Sequence, residues 1–380
     1  MTGFLGWRRV DDVRPGAAAY DRLIADPAEP TESTRPPPTA SVPSGRIEPA
    51  LDLLLRLLGP ASVGTRGDGP DRIDRSIHQV IEPLLDRYDA GEREALDPSP
   101  TVDAALGQLV EAVVGTRPPT ANELCHLLDA DDELTDRAVT IRRAAGLAET
   151  RMEHVHARTV GHGTGPSGAS GLASVLGSFP YLDNYRQLVG AEIEAIDGRR
   201  SGRRVAFCGA GPLPLSGIVW HRRTGDHVTL IEVDIEAATA ASTVIDALDQ
   251  HHLVDGAALA IQLGNAATTD LTDTDVVIVA SLVDMPTVAA IAAMVAAGPG
   301  HRLLAVRSAL GLSARLTYEP VEVPALEALG LRHLGSVVPA NAVVHGPGVE
   351  GVTISRSDRR LLTIAPIGVL NTTELFAPAD

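Results

Sequence analysis

The chain has 380 residues, a formal net charge of −17 and 32 basic residues, all of which are arginine because the sequence contains no lysine. Without lysine the protein cannot form a Schiff base with pyridoxal phosphate or build a Walker-type phosphate loop. The acidic balance also argues against a nucleic-acid partner, and two cysteines are too few for a disulfide framework or a four-thiolate metal site.

The N-terminal part of the chain predicts a flexible segment followed by helices. Residues 1–45 contain the stretch DPAEPTESTRPPPTASVPS, which is typical of a flexible tail and linker. In residues 46–195 apolar side chains recur at intervals of three and four, as in VDAALGQLVEAVVG, which predicts an N-terminal helical domain. The sequence has no signal-peptide pattern and no apolar run of the ~20 residues that span a bilayer, so we expect a cytoplasmic protein without a membrane partner.

The pattern changes in residues 200–370, where short β-rich runs alternate with helical stretches. RRVAFCGAG, HVTLIEVD and DVVIVASLV are examples of these runs. The alternation predicts a parallel sheet with crossover helices, and the continuous apolar strands predict that both faces of the sheet are covered. GLRHLGSVVPAN, VEGVTISRS and LLTIAP predict antiparallel strands that close the sheet.

The first of these strands ends in a Gly-x-Gly motif formed by Gly209 and Gly211, and the second is followed by Asp234. Ligands of open α/β sheets bind at this edge, where Asp234 could bind ribose hydroxyls or simply cap a helix. The third glycine of a dinucleotide motif is missing, and Pro212 and Pro214 reduce the N–H groups available to a pyrophosphate. A ligand with a ribose and no phosphate fits better, which predicts S-adenosylmethionine (SAM) and a Rossmann-like sheet of the class I SAM-methyltransferase type.

Segments after the third and fourth strands are expected to reach the same edge of the sheet. Asn265 and Ala266 follow the third strand and could contact the adenine, although Gly-Asn is also a common turn. Ser281 and Leu282 follow the fourth strand, and we expect them to face the sulfonium or the amino acid end of SAM.

The segment FCGAGPLPLSGIV resembles the signature of nicotianamine synthases, and the resemblance continues through FPYLDNY, VDIEAATA, DVVIVASLVDM and RSALG. It covers about residues 100–340, extending weakly into NELCHLL and AETRMEHV. It implies that SAM donates its 3-amino-3-carboxypropyl group to an amine and releases methylthioadenosine. Bacterial relatives make opine-type metallophores from an amino-acid acceptor, and a further branch is associated with the cyclisation of SAM to azetidine-2-carboxylate.

This reaction requires a neutral amine in line with the Cγ–S bond of SAM. Glu149 and Glu153 lie one helical turn apart, so both face the same side, and the resemblance implies that one of them binds and deprotonates the acceptor amine. A solvated helix face is the alternative interpretation of the pair. The helical domain would then form a lid on the acceptor side.

Three of the eleven aromatic residues fall in FPYLDNY, just before the first strand. Tyr181 and Tyr185 could place their rings against the sulfonium or bond the amino acid end, and Tyr181 could instead be core packing. Asn184 is a polar group beside them. Arg307, at the end of the fifth strand, could pair a carboxylate.

Other interpretations remain open at the level of sequence. They are the intramolecular cyclase, a SAM methyltransferase and a non-catalytic SAM-binding module, and a homodimer is compatible with each. We expect no metal site, since the rings of His154 and His156 point apart on a helix. The chain departs from the family in its first hundred residues, after Ala309, and at Val338-Pro339-Ala340-Asn341 with the following HGPGVEG, so the acceptor is undetermined.

Overall fold

The computed structural model describes residues 48–59, 76–116, 118–161, 168–298, 302–339 and 370–379. The predicted tail and linker of residues 1–45 lie outside the described residues. The first half of the described chain is helical, as predicted. Its α-helices are α1 (Glu48–Leu58), α2 (Ile77–Asp89), α3 (Pro100–Gly115), α4 (Pro118–Ala130), α5 (Asp132–Gly161), α6 (Ala169–Gly177) and α7 (Leu182–Asp197), with a 3₁₀ turn at Arg93–Leu96.

Helix α5 is the longest element, with 30 residues and a length of about 45 Å. Asp132 and Glu133 lie in its first turn, where acidic side chains favour a helix N-terminus. The helix packs against α2 and α4 within the helical part and also against a helix of the sheet. Within the described ranges, no helix is both long and apolar enough to cross a membrane.

The second half contains a seven-stranded sheet in the order β3-β2-β1-β4-β5-β7-β6, with β1 to β5 parallel and β7 antiparallel to both of its neighbours. This topology confirms the predicted Rossmann-like fold of the class I SAM-methyltransferase type. The strands are β1 (Arg204–Cys208), β2 (His227–Glu232), β3 (Leu259–Leu263), β4 (Val276–Val279), β5 (Leu303–Ser308), β6 (Leu331–Val337) and β7 (Thr372–Pro378). The helices between them are α8 (Leu215–Thr224), α9 (Ile235–Gln250), α10 (Met285–Ala297), α11 (Gly311–Leu316) and α12 (Val323–Glu327).

The closing strands were only partly predicted. Strand β6 lies in GLRHLGSVVPAN as expected, whereas VEGVTISRS and LLTIAP fall outside the described residues. The strand that pairs β5 with β6 is β7, which extends the sheet beyond the predicted limit at residue 370. Its sequence, TTELFAP, carries Thr373 and Glu374 at buried positions, so it lacks the apolar run that marked the other strands.

Both faces of the sheet are covered by apolar side chains. Val205 and Phe207 of β1 point into a core that continues through the helices of the N-terminal half, and Ala206 and Cys208 point into a second core under α10. This alternation is the expected geometry of a strand buried on both sides. One continuous core therefore joins the helical half to the sheet, while the division into separate domains at residues 195–200 stays a prediction.

Asp226 holds the beginning of β2 against α8. Its side chain is fully buried and accepts hydrogen bonds from Arg203 at 2.9 Å and from the indole of Trp220 at 3.0 Å, with a third from Arg200. Burial raises the pKa of Asp226, but the bonds from Arg203, Arg200 and Trp220 outweigh burial and lower it. The carboxylate thus fixes the orientation of α8, which follows the Gly-x-Gly motif.

Replacing Asp226 with alanine should lower the free energy of unfolding by about 3–5 kcal/mol, because it leaves Arg200 and the indole without their buried acceptor. Since the folded-state pKa of Asp226 is depressed, its contribution is complete above the ordinary aspartate pKa of about 3.9 and is lost as the pH falls through the folded-state value. Denaturant titrations of both proteins at neutral pH measure the loss. Asp273→Ala is the matched control, because Asp273 is exposed and 3.4 Å from the exposed Arg204; an equal loss in both variants would contradict the role of Asp226.

Candidate active site

A cavity of about 370 Å³ lies at the carboxyl ends of the parallel strands, under α5 and α7. This is the edge at which open α/β sheets bind ligands. The cavity gathers the predicted site residues from seven separate segments of the chain. All of them line it except Tyr181, namely Glu149, Glu153, Asn184, Tyr185, Gly209, Gly211, Pro212, Asp234, Asn265, Ala266, Ser281, Leu282 and Arg307.

The Gly-x-Gly motif forms one wall and requires glycine at both positions. Gly209 and Gly211 have φ angles of 80° and 68°, in the left-handed region that side chains disfavour. A Cβ atom at residue 211 would lie 2.7 Å from Oε2 of Glu153. The loop is therefore in direct contact with the carboxyl group that α5 provides.

The end of β2 carries two carboxylates with different environments. Glu232 is 8% exposed; its Oε2 accepts a bond of 2.8 Å from the backbone N–H of Gly211, and its Oε1 accepts from the N–H groups of Val233 and Asp234. Asp234 is exposed and caps α9 through Oδ1, at 2.7 Å from the N–H of Glu236. The sequence prediction considered Asp234 and missed Glu232, although Glu232 is the residue that ends the strand.

Two carboxyl groups of α5 and two tyrosines form a hydrogen-bonded cluster in the cavity. The hydroxyl of Tyr185 lies 3.2 Å from Oε1 of Glu149 and 2.9 Å from Oε1 of Glu153. The hydroxyl of Tyr318 donates to Oε2 of Glu149 at 2.9 Å. Sequence analysis missed Tyr318 because it lies 169 residues from Glu149, in the segment that departs from the family.

Burial dominates the electrostatics of this cluster. It raises the pKa of Glu149, against the opposing effect of the bonds from Tyr318 and Tyr185 and of the charge of Arg307. The pKa of Glu153 is raised well above its usual value by burial and then by the charge of Glu149, and burial also raises the pKa of both tyrosines. A carboxyl group whose pKa is raised in this way is suited to exchange a proton with a ligand.

The aromatic segment is divided between the cavity and the core. Tyr185 lines the cavity and stacks on Phe179 at 6.2 Å between ring centroids. Phe179 is buried, and Tyr181 packs edge-on against it at 5.9 Å without lining the cavity. Of the two tyrosines considered for the ligand, the structure therefore brings Tyr185 to the cavity, whereas Tyr181 packs beside it as in the alternative of core packing.

Arg307 has a carboxylate partner within the chain. Its Nε and Nη2 bond the two oxygens of Glu192 at 3.0 Å each, and its Nη1 bonds Ser216 at 2.8 Å. Glu192 is fully buried and also accepts from Thr373 of β7 at 2.7 Å. This pair, which sequence analysis did not foresee, ties α7 to β5 and β7 beneath the cavity.

Amide side chains complete the polar lining. Asn184 is 6% exposed, and its Oδ1 has no hydrogen-bond partner among the described residues. An unpaired buried acceptor in a cavity wall is well placed to receive a donor from a ligand. Asn371, which precedes β7, donates to Ser281 at 2.6 Å, while Asn265 bonds the backbone of its own turn.

The family model described as nicotianamine synthase protein matches residues 74–353, which is more than half of the chain. Nicotianamine synthase 8 of Hordeum vulgare is 31% identical over 222 residues, covering 57% of this chain and 63% of that protein. Nicotianamine synthase 1 of Arabidopsis thaliana is 29% identical over 171 residues, covering 44% of this chain and 51% of that protein. The match thus spans between about half and just under two thirds of these curated relatives.

Solved structures share the same fold. MtNAS in complex with MTA and tNA has a TM-score of 0.59 and 22% identity, covering 80% of this chain and 97% of that chain. A mutant of MtNAS in complex with S-adenosylmethionine has a TM-score of 0.56 and 23% identity, covering 80% of this chain and 98% of that chain. With the family model matching most of the described chain, this protein belongs to the nicotianamine synthase family.

Proposed function

We propose that the protein transfers the 3-amino-3-carboxypropyl group of SAM to an amine and releases methylthioadenosine. The observation that carries the proposal is the contact between the Gly-x-Gly loop, where a nucleoside would bind, and the carboxyl groups of α5. Glu153 of α5 lies directly against Gly211. Membership of the nicotianamine synthase family and the SAM complex of a relative with the same fold support the proposal.

The donor is held at the ends of β1, β2 and β3. The backbone of Gly209 and Gly211 can approach the ribose closely because neither residue has a side chain. Glu232 is buried and oriented by three backbone N–H groups, which leaves one of its four lone-pair positions for a ribose hydroxyl. Asp234 is the second candidate for the ribose contact, because its Oδ2 takes no part in the helix cap. Asn265 and Ala266 flank the adenine.

The carboxyl groups of α5 hold the acceptor amine and take up its proton. The neutral amine attacks the γ-carbon of SAM, the Cγ–S bond breaks, and its electron pair stays on sulfur as a thioether. Tyr185 and Tyr318 place phenol rings and hydroxyl groups beside the developing charges. The sulfonium leaves as the neutral thioether methylthioadenosine, so the step requires only proton exchange and the alignment of the amine with the Cγ–S bond.

The amino acid end of the donor meets the polar floor of the cavity. Oδ1 of Asn184 can accept from the α-ammonium, since it lacks a partner within the described chain. A guanidinium has five N–H groups, of which Arg307 uses three for Glu192 and Ser216, so two remain for a carboxylate. Ser281 and Leu282 close the cavity on the side of β4.

Cyclisation of SAM to azetidine-2-carboxylate is the second candidate, and the size and charge of the cavity favour it. A volume of about 370 Å³ lies near the lower end of the ~300–1,000 Å³ range of small-molecule sites. Arg307 is the only arginine among the described lining residues, and Glu192 and Ser216 leave it only two N–H groups for a ligand. An acceptor with its own carboxylate would compete with SAM for this one cation.

Incubating the purified full chain with SAM, alone and with amino acids, tests the proposal. Methylthioadenosine should appear, with an aminocarboxypropyl amine as the second product, as measured by mass spectrometry. Azetidine-2-carboxylate formed from SAM alone would assign the cyclase instead. S-adenosylhomocysteine as the product would contradict both, because it requires attack on the methyl carbon.

Glu232→Gln should weaken SAM binding by about 10–100-fold, the cost of losing a charge-assisted bond, while Asp234→Asn should weaken it less than about threefold. Asparagine caps a helix as well as aspartate does, so the second variant preserves the N-terminus of α9. Calorimetric titration of both variants makes the comparison. A larger loss of SAM affinity in Asp234→Asn than in Glu232→Gln would assign the ribose contact to Asp234 instead.

Tyr185→Phe should lower kcat by about tenfold or more with a smaller change in KM for SAM, because it removes the hydroxyl shared by the two carboxyl groups. Tyr88→Phe is the control, since Tyr88 is a half-buried tyrosine of α2 that does not line the cavity. Steady-state rates of methylthioadenosine formation give the comparison. An equal loss in both variants would show that packing, not the cavity hydroxyl, matters.

A further inference from the structure

The hydroxyl of Tyr185 lies within hydrogen-bond distance of two carboxyl groups, at 3.2 Å from Glu149 and 2.9 Å from Glu153. A phenol has a single proton to donate, and an ionised carboxylate has none. Both contacts can therefore be hydrogen bonds only if one carboxyl group is protonated. If both carboxyl groups were ionised, the hydroxyl oxygen of Tyr185 would face the carboxylate oxygen of one of them with no proton between the two. Such an unpaired buried contact has a high free-energy cost.

The surroundings favour Glu153 as the protonated member of the pair. Glu149 accepts a second bond from Tyr318 and lies in the field of Arg307, and both effects stabilise its ionised form. Glu153 is 9% exposed and lies close to the carboxylate of Glu232. In this arrangement the protonated carboxyl group of Glu153 donates to the phenol oxygen of Tyr185. The hydroxyl of Tyr185 in turn donates to the carboxylate of Glu149.

Groups on all the elements around α5 contribute to this balance. Those that face the pair are Tyr185 of α7, Tyr318 after α11, Glu232 of β2 and Arg307 of β5. Tyr181 packs outside the cavity but is still within the field of Glu149. On other sides of α5 the charges form ion pairs, Asp89 with Arg143 and Asp97 with Arg151. Asp234 and Glu236 lie near His154 of the same helix. Burial lowers the pKa of His154, which favours the uncharged form of this histidine.

We propose that Glu153 is protonated in the free protein and that the sulfonium of SAM expels this proton, so that the donor itself creates the base for the acceptor amine. The inference rests on the proposed function, because attack on the γ-carbon requires the sulfonium to lie close to the amine that the pair holds. An opposite charge within about 6 Å favours the ionised form of a carboxyl group.

The proton balance of the step is simple. The O–H bond of the Glu153 carboxyl breaks, the proton passes to solvent, and the electron pair remains on the carboxylate. The pair of carboxyl groups then carries two negative charges, which attract the ammonium form of an acceptor and can take one proton from it. A functional base therefore exists only after SAM has bound, which disfavours binding of the amine before SAM.

Calorimetric titration of the full chain at pH 7 and low temperature, in phosphate and in Tris, measures the protons released on binding. SAM should release about one proton per molecule bound, whereas S-adenosylhomocysteine should release about none, because its sulfur is uncharged. Glu153→Gln should bind SAM with release reduced to about zero, since the amide cannot ionise and still donates to Tyr185. Glu194→Gln, an exposed change on α7 outside the cavity, should release as much as the wild type.

The outcomes separate this inference from the proposed function. SAM binding without proton release would overturn the inference and leave the transfer reaction standing. Equal release with SAM and S-adenosylhomocysteine would also overturn it, since the amino acid end, common to both, would then be the cause. Failure of both nucleosides to bind would overturn the proposed function and the inference together.

Discussion

The hydrogen bonds that tie two buried carboxyl groups of α5 to the hydroxyls of Tyr185 and Tyr318 are the contacts on which the arrangement of the site depends. A buried carboxyl group is costly unless it is neutral or hydrogen-bonded, so α5 can present Glu149 and Glu153 to a cavity only where phenols meet them. One phenol comes from α7 and the other from the segment after α11. Two distant segments of the chain must therefore close around one turn of α5.

The packing of α5 provides the rigidity that this closure requires. Its contacts with α2 and α4 fix it within the helical half, and its contact with α9 fixes it to the sheet. The bidentate pair of Arg307 and Glu192 does the same for α7, because it joins that helix to β5 and, through Thr373, to β7. A single apolar core around both sets of contacts joins α5 and α7 to β1 of the sheet.

Sequence patterns predicted the parts of this structure that rest on local periodicity. The helical spacing before residue 197 and the apolar runs of β1 to β5 were readable because each element shows its own repeat. Strand β7 was missed because its polar Thr373 and Glu374 are stabilised by Glu192 and His333, residues that no local window contains. Glu232 was overlooked for the related reason that its role depends on the backbone of a loop 21 residues away.

By itself the sequence determined the fold class, the edge of the sheet at which the cavity lies and the pairing of Glu149 with Glu153 on one helix face. These follow from residue spacing, since a helix turn and a strand end fix where a side chain points whatever surrounds it. Only the tertiary structure decided that Tyr185 and not Tyr181 enters the cavity, that Tyr318 joins it, and that Arg307 is bound to Glu192. Each of these choices depends on burial and on partners between 32 and 169 residues apart, which set the energy of a polar group more strongly than its neighbours in sequence do.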